Sequence, residues 1–410
     1  MSMMEITPAP GRFDGDNDLN NHAVVTKYRT AADIANDVMK QVLQATNIGV
    51  RAVELCKLGD NLILETTAKM YKKGERGIAS PTSVSINHVV RNFSPAEEDT
   101  TVLNAGDLVK IDLAVHIDGY IASLSHSTVL SATPSEPTTG RPADAICAAH
   151  YGAQAVAKLL DPELKTSRGT FTSTVEGIAQ HFGCSAVRTN FTRKVKRFVA
   201  SVPGAQLPNS MIPEGVDLEN IVVPDDDDEM DSWNTEEGDE SPQVGDVWVI
   251  DVAVSTAATG AVKHVLDHKP MVLKRDVNAF YNLKHKSSRT TLSTVANTFS
   301  VFPFATRALI ALGSSHRLGM QENLSHNLLV PEWLQVAPTG EFVARFSMTV
   351  MLLPSGLLQI TAADLPLPYV HSAYDIATSE YAGLINGRTK VRQVKKKIAA
   401  SAHSAAAMEL

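Results

Sequence analysis

The sequence predicts a mixed α/β protein with two similar halves. Two observations carry this. The segment GDLVKIDLAV at 106–115 returns as GDVWVIDVAV at 245–254, with Gly, Asp, Ile, Asp, Ala and Val at matching offsets. Both copies open on a Gly-Asp turn and continue into β-branched residues, as strands do. Around them, apolar residues recur at three- and four-residue steps, the period of amphipathic helices. Helices and strands therefore occur together in each half.

Residues 1–22 are rich in Pro, Gly, Asp and Asn and are expected to be disordered. From Lys27 to about Gly49, Ile34, Ala35, Val38, Met39 and Val42 define one face of a helix. A second helix is expected at 60–73, with Gly59-Asp60 as its start signal. Strands follow at 77–90, 107–116 and 120–130, the last two joined by the tight turn IDGY. Helices are expected at about 141–160 and 169–182. The stretch 201–243 holds several prolines and an acidic run, and reads as an insertion. Strands resume at 244–262 and 268–275, helices at 288–300 and 304–312. Strands at 341–352 and 355–361 pair across PSG. The expected organisation is one domain at 23–380, with halves at about 23–165 and 166–380, and a basic, Ala-rich tail at 381–410.

Composition is that of a globular protein, 44% apolar and 20% charged over 410 residues. No apolar run reaches the roughly 18 residues that suggest a membrane span. The first twenty residues do not look like a secretory signal. Cys56, Cys147 and Cys184 are odd in number and far apart, which argues for reduced thiols rather than a disulfide framework or zinc site. The net charge of −8 is unevenly spread: 217–240 holds twelve acidic side chains and no basic one, and the rest of the chain stands at +4. Patches are the better guide to partners.

Side chains alternate between the faces of a strand. Val109, Ile111, Leu113 and Val115 share one face of the first copy, and Asp112 lies on the other. Trp248, Ile250, Val252 and Val254 share one face of the second, and Asp251 lies opposite. A buried carboxylate is costly unless paired, hydrogen-bonded or metal-bound. Either aspartate alone reads as a hydrogen-bonded strand residue. The repeat favours two carboxylates converging on one site.

The SPTSVSIN strand, GDLVKIDLAVHIDGYIA, GDVWVIDVAV and FVARFSMTVMLLPSG occur in the order found in type 2 methionine aminopeptidases. YRTAADIANDVMKQVLQA, GVRAVELCKLGD, KKGERGIASPTS, VLKRD and LKHKSSR more closely resemble the proliferation-associated, ErbB-receptor-binding protein family, a non-peptidase branch that includes a fungal curved-DNA-binding protein. The resemblance spans roughly 24–365 without the insertion. It implies the pita-bread fold: two pseudo-symmetric halves, with mixed, largely antiparallel sheets flanked by helices. In the active peptidases, five ligands hold two divalent metals and a further histidine acts on the substrate. The resemblance places those ligands on Asp112, Ser123, Arg193, Asp251 and Ser347, and the substrate-side histidine on Asn92. Two carboxylates remain and no imidazole, too few for a two-metal centre. No metal, cofactor or catalytic residue is therefore expected. A relocated histidine (His88, His116 or His126) is the alternative. Asp112 is expected to bond nearby hydroxyls, backbone amides or Arg193.

The resemblance also implies association with the large ribosomal subunit, through rRNA and proteins near the tunnel exit, and with structured RNA more generally. Candidate phosphate contacts are Lys72 and Lys73; Arg193, Lys194, Lys196 and Arg197; Lys274 and Arg275; Lys284, Lys286 and Arg289; and Lys395, Lys396 and Lys397. Each short cluster also reads as a solvated face. No aromatic RNA-recognition motif is present, so backbone and shape recognition is expected over base readout. The expected protein is a monomeric pseudo-enzyme of cytoplasm and nucleus or nucleolus, acting in ribosome biogenesis or translation. An active metallo-aminopeptidase with a rearranged site and a curved-DNA-binding protein are the alternatives.

Overall fold

The computed structural model describes residues 16–72, 74–131, 133, 135–187, 192–199, 241–265 and 269–387. Most of the N-terminal segment and the acidic insertion, together with Lys73 and the lysines at 395–397, lie outside the described residues. The first half runs α1 (His22–Ala45), α2 (Ala52–Ala68), β1 (Arg76–Ile86), β2 (Val89–Arg91), β3 (Leu108–Ile117), β4 (Tyr120–Val129) and the short β5 (Thr138–Thr139). The second half opens with α3 (Arg141–Leu159), α4 (Arg168–His181), β6 (Ser185–Ala186), β7 (Arg193–Val195) and β8 (Val247–Ser255). It continues with β9 (Lys263–Val265), β10 (Val272–Arg275), α5 (Lys286–Thr298), β11 (Phe304–Ala305), α6 (Thr306–Ala311) and α7 (His316–Ser325). It ends with β12 (Leu329–Glu332), β13 (Leu334–Val336), β14 (Val343–Leu353), β15 (Gly356–Gln359), β16 (Val370–His371) and α8 (Ala382–Asn386).

The main sheet has the order β1-β3-β4-β14-β8-β6, with β15 on β14 and β7 on β8. Its pairings are all antiparallel. The sequence repeat is a structural repeat. Gly106 donates to Leu130 and Leu130 to the Asp107 carbonyl; Gly245 donates to Leu352 and Leu352 to the Asp246 carbonyl. Asp107 and Asp246 each accept a backbone N–H from the residue three before them. Strand β3 thus corresponds to β8, and β4 to β14, about a joint where β4 meets β14. Each half buries the apolar face of its repeat. Val109, Ile111, Leu113 and Val115 pack on α1 and α2 residues such as Ile34, Val38, Met39 and Leu55. Trp248, Ile250, Val252 and Val254 pack on α3 and α4 residues such as Ala149, Val156 and Ile178. The Asp112 and Asp251 faces are left for the site.

Several elements differ from expectation. Helix α1 starts earlier because the Asn21 side chain caps it, accepting from Ala23 N. Helix α2 starts eight residues before the expected position, and Gly59-Asp60 lies inside it. That dipeptide serves a tertiary contact. A Cβ on Gly59 would overlap Thr82 Oγ1, so glycine lets α2 approach β1. Asp60 accepts the Thr82 N–H at 2.7 Å, where β1 loses register around Pro81, and pairs with Arg307. The expected strand at 77–90 is interrupted at Asn87, whose φ of 49° turns the chain into β2. The IDGY turn holds, with Asp118 and Gly119 both at positive φ, as a two-residue hairpin of the primed type requires. The expected helix at 304–312 begins as a strand, Phe304–Ala305, and α7, β12 and β13 were not anticipated. No helix among the described residues is long and apolar enough to cross a membrane.

Candidate functional site

Asp112 on β3 lies opposite Ser125 on β4, Ser125 opposite Ser347 on β14, and Ser347 opposite Asp251 on β8. Directly opposed residues share a sheet face. The four therefore form a row across the joint, with an aspartate at each end and hydroxyls between. Ser123 sits one pleat along, opposite Ala114.

Arg345 bridges the two aspartates. It stands two residues before Ser347 on β14 and so shares its face. Nη1 donates to Asp112 Oδ2 at 2.6 Å, Nε to Asp251 Oδ1 at 2.8 Å and Nη2 to Asp251 Oδ2 at 2.8 Å. The Asp251 contact is the two-pronged guanidinium–carboxylate geometry, strong and directional. Both partners are deeply buried, Arg345 at 5% exposure and Asp251 at 2%. Burial works against the Arg345 charge, but Asp112 and Asp251 outweigh it and raise its pKa above the ordinary value. Burial likewise pushes the Asp251 carboxyl up, and Arg345, Arg193 and Arg91 together hold it below the usual range. Both groups remain charged.

Two further guanidiniums face this pair. Arg193 enters from β7, with Nη1 3.5 Å from Asp251 Oδ2. Arg91 and His264 flank Gln335 across the small sheet β2-β13-β9, and Arg91 Nε donates to Gln335 Oε1 at 3.0 Å. Burial and the neighbouring Arg345 lower the Arg91 pKa; burial, and more weakly Arg345, lower that of Arg193.

A pair of divalent metals does not fit these residues. A guanidinium spans the two carboxylates, hydroxyls stand at Ser123 and Ser347, and a cation stands at Arg193. Among the described residues no group of three or more His, Cys, Asp or Glu could hold a metal ion. The three candidate histidines do not gather at the site. His88 is half-buried, its pKa lowered by burial and by Lys110. His116 accepts the Gly119 N–H through Nδ1 and packs on Phe302. His126 Nε2 donates to the Pro366 carbonyl at 3.0 Å. Burial pushes both His116 and His126 down to about 4.

Several residue expectations change. Asp112 is satisfied by Arg345, whereas Arg193 turns to Asp251. The sequence did hold a signal for Arg345: a cation inside an otherwise apolar strand, FVARFSMTV. Asn92, at positive φ just after β2, donates to the Trp333 carbonyl. The cations at 193–197 do not form one open basic patch. Arg193 approaches Asp251 at 3.5 Å, Lys194 pairs with Asp246 at 2.7 Å, and Arg197 pairs with Asp118 at 2.8 Å while lying over Tyr120. Lys196 is its exposed member. Lys274 and Arg275 are half-buried, whereas Lys72, Lys284, Lys286 and Arg289 are exposed.

Residues 26–192 match the model of metallopeptidase family M24. The chain is 32% identical to proliferation-associated protein A of Dictyostelium discoideum over 94% of each chain. It is 34% identical to ErbB-3 binding protein 1 of Solanum tuberosum over 86% of this chain and 84% of that one. The solved structure of a thermophilic Arx1 superposes with a TM-score of 0.75 at 23% identity, covering 90% of this chain and 99% of that one, a likeness of fold. With the order of its motifs, its repeated halves and these matches, the chain belongs to the proliferation-associated and ErbB-3-binding protein family, on the pita-bread fold of the M24 peptidases.

Proposed function

We propose that this protein is a catalytically inactive aminopeptidase-like factor that binds the large ribosomal subunit or structured RNA and acts in ribosome biogenesis or translation, in cytoplasm and nucleus. The observation that carries the inactive reading is Arg345 bridging Asp112 and Asp251. Two-metal hydrolysis needs cations that ionise a water and stabilise the oxygen that becomes charged. A guanidinium held above its already high pKa gives up no proton, coordinates no water and takes the carboxylate oxygens that metals would use.

The binding reading rests on the family resemblance and on a compatible surface. One face of α5 carries Lys286, Arg289, Thr290, Ser293 and Asn297 in the open, at helical spacing, around a shallow groove of about 340 Å³. Its opposite face, Ser288, Thr291 and Val295, is buried. Two cations beside hydroxyls and an amide suit a sugar–phosphate backbone. The test is sedimentation with purified large subunits at graded salt, alongside metal analysis and cleavage of Met- and Xaa-Pro peptides. Co-sedimentation that weakens with salt, without turnover, supports the proposal. Protein that stays at the top of the gradient at low salt overturns the ribosome reading. Stoichiometric metal with turnover abolished by Asp112→Ala overturns the inactive one. Competition by duplex DNA ahead of rRNA would favour DNA binding, as in the fungal relative that the sequence resembles.

A further inference from the structure

The buried charges around Asp251 do not close on one another. Arg345 commits three nitrogens to Asp112 and Asp251. Asp251 then offers Arg193 only a 3.5 Å contact, and Arg193 Nε is buried without a partner. Arg91 uses one nitrogen, on the neutral Gln335. The other carboxylate acting on Arg91 besides Asp251 is Glu332, and the two form no ion pair. His264 Nδ1 and the Ser125 and Ser347 hydroxyls are buried without partners as well. Arg193 Nε can only donate, and the imidazole and the two hydroxyls can donate as well, so one added acceptor group would serve several of them. Buried polar groups are nearly always satisfied, and an uncompensated buried cation is the costliest exception. Solvent reaches the cluster, since the Asp112 and Arg193 side chains are each 14% exposed.

We propose that this cluster is a binding site for an oxyanion group, a carboxylate or a phosphate, held by Arg193 and Arg91 with His264 as a further donor. Guanidinium forks match the paired oxygens of either group. Arg345, Arg193 and Arg91 carry three positive charges against the two negative charges of Asp112 and Asp251, so the cluster stays net positive toward such a ligand. The proposal rests on the absence of a metal centre and is independent of subunit binding.

The experiment is calorimetric titration of the full-length protein at constant ionic strength. Inorganic phosphate forms one arm; a short peptide with a free C-terminal carboxylate, compared with its C-terminal amide, forms the other. Saturable binding of phosphate, or of the free peptide over the amide, is expected, and the responding arm identifies the source of the oxyanion. Arg193→Gln should weaken binding roughly 10- to 150-fold, the usual value of a charge-assisted hydrogen bond. Lys165→Gln, exposed in the connection between α3 and α4, should leave it unchanged. Because Arg193 also touches Asp251, a selenate soak provides a second readout on unaltered protein, with an anomalous peak expected within hydrogen-bond reach of Arg193 and Arg91. No saturable binding beyond that of chloride, equal binding by well-folded Arg193→Gln, or a selenate peak only elsewhere, an adventitious ion only, overturns the proposal. Stoichiometric divalent metal in the purified protein would overturn both this site and the inactive reading, whereas failure to co-sediment with subunits would leave the site standing.

Discussion

Arg345→Met removes the guanidinium and keeps most of the volume. Three charge-assisted bonds are lost, and Asp251, 2% exposed, stays buried without its main counter-charge. Breaking a buried pair from one side costs about 3–5 kcal/mol. Unfolding entropy of about 2.1 cal/mol/K per residue gives roughly 0.9 kcal/mol/K for a chain of this size, so Tm should fall by about 3–6 °C. The pH dependence tests the mechanism. In the native protein the Asp251 pKa is depressed, so its stabilisation is present above the ordinary carboxylate pKa and is lost only as pH falls through the lower folded value. Between pH 7 and 5 it contributes no slope. Without Arg345, burial is opposed only by Arg193 and Arg91, and the carboxyl pKa rises. The folded state then binds a proton that the unfolded state does not, and stability rises as pH falls. The Tm deficit of Arg345→Met should therefore shrink from pH 7 to pH 5 in calorimetry, and adding Asp251→Asn should restore part of it at pH 7. A deficit under about 1 °C, or one that grows at pH 5, would refute the clamp.

Other expectations follow from the same geometry. Gly59→Ala, favourable by helix propensity, should instead destabilise by about 1–3 kcal/mol, because its Cβ meets Thr82 on a packed strand; denaturant unfolding measures it, and a gain would show that α2 can back away from β1. His116 and His126, pushed down to about 4, stay neutral while the unfolded chain takes up protons. Stability should fall as pH drops from about 6.5 toward 4, by up to about 1.4 kcal/mol per pH unit for each histidine, and His126→Gln should flatten that limb. An unchanged limb would mean that His126 titrates normally in the fold. Replacing both Lys284 and Lys286 by Ala should weaken subunit binding and make its log–log salt dependence shallower by roughly 0.7–0.9 per lost phosphate contact; an identical slope would remove these lysines from the interface.

The fold was legible where local pattern and tertiary role agree. The repeat at 106–115 and 245–254 marked corresponding strands because one apolar face must be buried in each half. Local reasoning failed at Gly59-Asp60, where a start signal by composition is a helix–strand contact. It also failed at the cluster 193–197, whose cations look alike in sequence but divide in space among Asp251, Asp246 and Asp118. The retained aspartates were legible from the repeat. Their partner was not, because the ligand pattern points to Ser347 and is silent about Arg345, one pleat away on the same strand face.

The position of Arg345 matters because of where the sheet is weakest. Ladder pairing is continuous from β3 to β4 and from β8 to β14, but β4 and β14 share one register pair, Ser125 with Ser347. Side-chain hydroxyls replace backbone bonds along the rest of that joint. Ser127 Oγ accepts the Arg345 N–H and donates to the Arg345 carbonyl, both at 2.8 Å. Thr349 Oγ1 accepts the Ser123 N–H at 2.9 Å and donates to the Ser123 carbonyl at 2.8 Å. Neighbouring strands normally gain their cohesion from the ladder, so this joint needs cohesion from elsewhere. Asp112 belongs to the first half, and Asp251 and Arg345 to the second. The guanidinium therefore adds a charged bond across the joint that has the fewest backbone bonds. Metals between the same carboxylates would join the halves as well, but only while bound. An arginine makes that attachment permanent and occupies the carboxylate oxygens that metals would use.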